Sequence, residues 1–158
     1  MGIKNNVSAV NLHRSYKLNE ALVKELASEA LRIIKKENKV ELELIFLDGK
    51  SIKRFNKRYR REDRATDVLS FRIDRKEFGQ KAFLGEIAIS LDAALDNSKS
   101  FGTSFTDEAV LYIIHGILHL FGYDDENAED GRRMAKEQNR ILGKLKKCKN
   151  LSEVLMPR

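Results

Sequence analysis

The segment AVLYIIHGILHLF, residues 109–121, constrains this chain more than any other. It is almost wholly apolar over more than three helical turns, so it predicts a helix buried on most of its circumference. Yet it carries His115 and His119, two of the three histidines in the sequence. Burying an imidazole is costly unless its ring nitrogens find partners. Residues four apart on a helix lie about 40° apart around the axis and one turn apart along it. Both rings therefore project from one face and reach a common point. Thr106, followed by Asp107 and Glu108, is the predicted helix start, a capping hydroxyl with acids in the first turn.

Gly122 follows Phe121 where a helix ends in a left-handed residue and the chain reverses. The reversal swings Tyr123, Asp124 and Asp125 back past the histidine face. Two imidazoles and one carboxylate, with a fourth position open, is the donor set of a catalytic zinc site rather than a closed structural one. The spacing matches the HExxHxxGxxH layout of the metzincin peptidases at both histidines and the glycine, with Asp125 in the last ligand position. It departs where those enzymes carry their general-base glutamate, which here is Gly116. A peptidase needs that carboxylate to activate water and protonate the leaving amine.

Charge supplies a second constraint. Thirty basic against twenty-four acidic residues give a net +6. Between Lys53 and Lys76 lie ten Lys or Arg and four acids, so much of the excess sits in one segment. Arg54, Lys57, Arg58, Arg61 and Arg64 make a basic patch whose natural partner is a polyanion. Cys148 is the only cysteine, which excludes an internal disulfide and a cysteine-rich metal site. No apolar run is long enough to span a membrane, and the N-terminus lacks the apolar core of a secretory signal. The expectation is a cytoplasmic protein.

Periodicity suggests strands at Val7–Leu12, Val40–Asp48, Thr66–Ile73 and Leu84–Asp92. Helices are expected over 19–38 with Asn19 as cap, from Ser51 to Tyr59, over 92–100, from Thr106 to Phe121, and from Asn127 to Lys147. With no repeat or linker, residues 1–158 read as a single α+β domain. One mixed sheet of about four strands is covered by helices, one of them a metzincin-like HxxxHxxGxxD metal helix. His13 lies outside every motif and is expected at the surface.

HGILHLFGYDD resembles the HGxLHLxGYDH signature of the YbeY family, metal-dependent endoribonucleases and ribosomal RNA maturation factors. NKRYRREDRATDVLSF (Asn56–Phe71) is similar to that family's N-x-x-YR…TDVLSF segment, and LGEIAIS to its LGDIVIS-like strand. The resemblance covers nearly the whole chain. It implies a single-strand-specific endoribonuclease acting in rRNA processing and ribosome quality control, with rRNA precursors and ribosome or small-subunit assembly components as partners. It also implies one zinc ion on His115, His119 and Asp125, the last being aspartate where the family has histidine. A carboxylate is a harder ligand, so another divalent metal is admitted. Asp124 is read as a structural neighbour or the alternative ligand. Arg60 falls on the family's functional arginine, where a guanidinium can grip the oxygens of a phosphoryl transition state. Ser70 and Phe71 are candidates for the cleft floor, Phe71 for base stacking, and Glu86 for a proton shuttle. Two other classes stay open: an RNA-binding ribosome-assembly factor with a structural or vestigial metal, and, more remotely, a minimal metallopeptidase.

Overall fold

The computed structural model describes residues 5–34, 39–77 and 80–158. Their order is β1 (Asn6–Asn11), β2 (Tyr16–Leu18), α1 (Glu20–Ile34), β3 (Lys39–Leu47), α2 (Gly49–Arg60), β4 (Val68–Glu77), β5 (Gln80–Ser90), α3 (Leu91–Phe101), α4 (Phe105–Leu120), α5 (Ala128–Cys148), a 3-10 turn (Leu151–Glu153) and β6 (Leu155–Pro157). The main sheet runs β1-β3-β5-β4, with β1, β3 and β5 parallel and β4 antiparallel on the edge. This is the expected mixed four-stranded sheet. Parallel neighbours require crossovers, supplied by α1 between β1 and β3 and by α2 with β4 between β3 and β5.

Alternation along β3 decides which sheet face each element covers. Val40, Leu42, Leu44 and Phe46 are buried in the main core with α1, α4 and α5, while Glu41 and Glu43 point to the other face. On that other face only a small core forms, where Ile52 of α2 meets Leu47, Leu69 and Ala88. Strand β5 is apolar on the α4 face, through Phe83, Ile87 and Ile89, and carries Glu86 between Leu84 and Ala88 on the other.

Three expectations need correction, and one pair of strands was not foreseen. The cap of α4 is Ser104, not Thr106: its hydroxyl accepts from the Asp107 N–H at 3.0 Å. The helix after β3 begins at Gly49 rather than Ser51, because the Asp48 carboxylate accepts from the Ser51 N–H at 2.7 Å and caps one turn earlier. A short antiparallel pair, β2 with β6, had no periodic signal, since three-residue strands are too short to show one. His13 is not at the surface but 6% exposed. Its Nε2 meets Asp92 Oδ1 at 2.8 Å and its Nδ1 accepts from the Ser15 N–H at 3.2 Å, while Asp92 also takes the Gly49 N–H at 2.8 Å. His13 thus ties the β1–β2 turn to the starts of α2 and α3. The end of the expected first helix, residues 35–38, lies outside the described residues.

Candidate metal centre

Helix α4 lies against β4 and β5, between the sheet and helices α3 and α5. Gly116 sets how closely it approaches the sheet. A Cβ there would lie 2.6 Å from Ile87 Cγ2, so no side chain fits without displacing that of Ile87. Ser70 of β4 donates its hydroxyl to the Gly116 carbonyl at 3.2 Å. Arg72, one strand period on, donates Nη1 to the Leu120 carbonyl at 2.6 Å and Nε to Asp74 at 2.7 Å. Both ends of the histidine face are thereby tied to the edge strand.

The chain leaves α4 as expected. Gly122 has φ +93°, and the N–H groups of Gly122 and Tyr123 return to the carbonyls of His119 and Leu118 at 3.1 and 3.0 Å. Asp124 Oδ1 then accepts from the backbone N–H groups of Asp125 and Glu126 at 2.7 and 3.2 Å. This turn aims the Asp125 carboxylate at the paired rings. His115 Nε2 and His119 Nε2 are 2.9 Å apart, and Asp125 oxygens stand 3.7 Å from the first and 3.9 Å from the second. His115, His119 and Asp125 form a metal-binding group among the described residues, their ligand atoms within 4.8 Å of one another.

The tautomers decide whether that group fits a cation. His115 Nδ1 meets the carbonyl oxygen of the Gln138 side chain on α5. Since that oxygen only accepts, Nδ1 carries the proton and Nε2 presents a lone pair. His119 is held below the ordinary imidazole pKa first by burial and then by its neighbour His115, against the opposing pull of Asp125, a backbone hydrogen bond with Tyr123 and Asp124. The Nε2 lone pair of His115 thus lies beside His119 Nε2 and the Asp125 carboxylate. A divalent cation among these three atoms would take the two imidazoles and the carboxylate as a ligand set.

The centre opens onto a cleft of about 420 Å³ whose wall includes Arg60, Arg64, Ser70, Arg72, His119 and Asp124. A larger groove of about 560 Å³ beside α1 and α5 contains none of these residues. Arg60, at the end of α2, reaches the edge of β4 and donates Nη2 to the Ser70 carbonyl at 3.1 Å. Arg64 shares the cleft but is paired with Glu62 at 2.8 Å. Asn56 donates to the Arg64 carbonyl at 2.9 Å and holds the loop after α2 in place. Arg54, Lys57, Arg58 and Arg61 are all exposed, on α2 or at its end.

Two expected cleft residues are elsewhere. Glu86 lies on the opposite sheet face from the metal helix, because its neighbours Gly85 and Ile87 are the ones that meet α4. It stands across from Glu43, and burial first, then that neighbour, raises its pKa. Phe71 pairs with Glu86 in register and also faces α2, so Ser70 alone of that dipeptide lines the cleft. Sequence reasoning missed Gln138, although one signal was available. Met134, Ile141 and Leu145 form the buried stripe of α5, and Gln138 is the polar residue within it.

A family model described as endoribonuclease YbeY matches residues 3–146. An endoribonuclease YbeY of Aquifex aeolicus is 40% identical over 125 residues, covering 78% of this chain and 80% of that protein. One from Pelotomaculum thermopropionicum is 34% identical over 142 residues, covering 85% and 93%. A solution structure of a Thermotoga maritima protein matches with a TM-score of 0.61 at 28% identity, over 88% of each chain. With His115 and His119 on α4, Asp125 on the turn after it and nearly the full length matched, this chain belongs to the endoribonuclease YbeY family.

Proposed function

We propose that the protein, acting through residues 1–158 as one metallohydrolase domain, is a metal-dependent endoribonuclease that cuts phosphodiester bonds of single-stranded RNA. Zinc is its cation and precursors of ribosomal RNA are its substrates. It works in the cytoplasm, beside the ribosome or its small-subunit assembly components. Among the described residues no helix is long and apolar enough to cross a membrane.

The observation that carries this reading is that one cleft contains both a ligand of the His-His-Asp group and the guanidinium of Arg60. His115, His119 and Asp125 would hold the cation, which when bound supplies Lewis acidity toward a phosphoryl oxygen. Arg60, steered by the Ser70 carbonyl, presents its remaining N–H groups to the non-bridging oxygens as charge builds there. Arg72 and Ser70 keep the metal helix in register with the strand that positions Arg60. A peptidase reading is disfavoured sterically as well as chemically, since the base it lacks has no room at Gly116.

The test pairs elemental analysis with cleavage of a single-stranded oligoribonucleotide and its duplex. His115→Ala and Asp125→Ala lose bound metal and cleavage together. Arg60→Ala abolishes cleavage while sparing most RNA affinity. Wild-type cleavage rates in Arg60→Ala, after removal of contaminating ribonucleases, overturn the assignment. So does a full metal equivalent in Asp125→Ala. A wild type that binds RNA but never cuts it supports the assembly-factor reading instead.

A further inference from the structure

Helix α2 ends on the pair Tyr59–Arg60, and the two side chains part across the edge of β4. Arg60 turns to the cleft. The Tyr59 ring stays on the outer sheet face and is 54% exposed. It is held on two sides. Phe55, one turn earlier on α2, lies 5.4 Å away between ring centroids, and Phe71 of β4 lies 5.6 Å away at an interplanar angle of 62°. The Arg58 guanidinium stands 5.5 Å from the Tyr59 ring, and that of Arg60 stands 5.5 Å from the Phe71 ring. Beyond them Ile73 is 57% exposed.

We propose that Tyr59 is a stacking platform for one unpaired base of an RNA strand whose neighbouring phosphate lies against Arg60. The proposal rests on the endoribonuclease reading and gives it a structural source of single-strand preference. Aromatic rings interleaved with arginines are the composition of sequence-tolerant single-strand sites, because every base has a π face and every linkage a phosphate. A base held in a duplex offers its stacking face to its neighbours, so it cannot also cover Tyr59. The ring is fixed by Phe55 and Phe71 before RNA arrives, which lowers the ordering cost of binding. Charge limits the path: Glu43 and Glu86 stand opposite each other on the same sheet face beyond the aromatic group, where Glu41 is paired with Arg75 at 3.5 Å, and the two facing carboxylates repel the backbone. The strand is thereby confined to the end of α2 and the edge of β4, the route into the cleft. Phe71, the ring expected from sequence to stack, serves as the support beneath, being only part-exposed.

The experiment uses metal-loaded protein and a single-stranded oligoribonucleotide in which 2-aminopurine or an abasic nucleotide is moved one position at a time. Stopped-flow mixing reads binding before turnover. With wild type, one 2-aminopurine position is quenched, and an abasic nucleotide there weakens binding. Tyr59→Ala loses that quenching and binds about 5- to 150-fold more weakly, the range for one lost base stack. An abasic nucleotide costs it nothing further at that position. Tyr59→Phe keeps the π face and binds as wild type. The salt dependence is the same in all three, since no charge is removed. Equal affinity in wild type and Tyr59→Ala overturns the platform, as does an abasic scan of wild type with no sensitive position. That scan needs no variant and so stands even if Tyr59→Ala fails to fold. Wild type that cuts no single strand defeats the endoribonuclease reading itself, a result independent of Tyr59.

Discussion

The Gln138 side-chain oxygen meets His115 Nδ1 across the α4–α5 interface, and this one contact determines which nitrogen of His115 faces the metal group. Removing the acceptor frees the ring to rotate and to change tautomer. Gln138→Ala is expected to lower divalent-metal affinity roughly 10- to 100-fold, the usual cost of losing a partner behind a ligand. Gln138→Glu keeps an acceptor and retains the affinity. Chelator competition on folded protein measures both, and identical constants in all three proteins would refute the role.

Gly116 predicts a steric effect. Its hypothetical Cβ lies 2.6 Å from Ile87 Cγ2, in the packed layer between α4 and β5. Gly116→Ala should destabilise the protein by about 1–3 kcal/mol, as overpacking does. The double variant Gly116→Ala/Ile87→Val, which trims the clashing side chain, should be less destabilised than the sum of its parts. Urea denaturation of the four proteins in the cycle checks this. Strict additivity would mean that the helix shifts instead.

Arg61 ends α2 with φ 56° and is the only non-glycine residue with positive φ among those described. A side chain with a Cβ pays for that conformation and glycine does not. Arg61→Gly should raise stability by about 1 kcal/mol, or about 2–4 °C in Tm for a chain of this size. A lower Tm would show that the arginine side chain contributes more than its backbone costs.

The pair Glu86 and Glu43 predicts a pH dependence. Burial and then Glu43 raise the Glu86 pKa above its ordinary 4.5. A folded-state pKa above the unfolded value means the folded protein holds its proton more tightly, so stability falls as pH climbs past the unfolded value and the penalty is complete above the folded one. Glu86→Gln removes the penalty. It should raise Tm by about 1–3 °C at pH 7, in line with relieving opposed like charges on a sheet. Below pH 4.5 the gain should vanish. Thermal scans of both proteins across pH decide it; a gain that persists in acid points to packing rather than charge.

The two histidines, their helix, the glycine stop and the turning aspartates were legible in the sequence because all of them are local. One helical turn and one left-handed residue suffice to bring Asp125 back to His115 and His119. The strands of the main sheet were legible for the same reason, as a two-residue period needs no partner to be seen. What could not be read locally is which distant residues meet. Gln138 lies 23 residues from His115, and His13 lies 79 residues from the Asp92 it pairs with. Neither contact leaves a periodic trace. Glu86 and Phe71 show the same limit from the other side. Alternation told that neighbours on a strand face opposite ways, but only the packing of α4 on Gly85 and Ile87 decided that these two side chains face α2 and not the metal. Sequence alone brought His115, His119 and the candidates Asp124 and Asp125 together, because backbone geometry over eleven residues dictates it, and the structure sets Asp125 rather than Asp124 against the rings. Tertiary structure decided the partners and the surrounding cleft, because those depend on which faces of separate elements are pressed together to bury apolar surface.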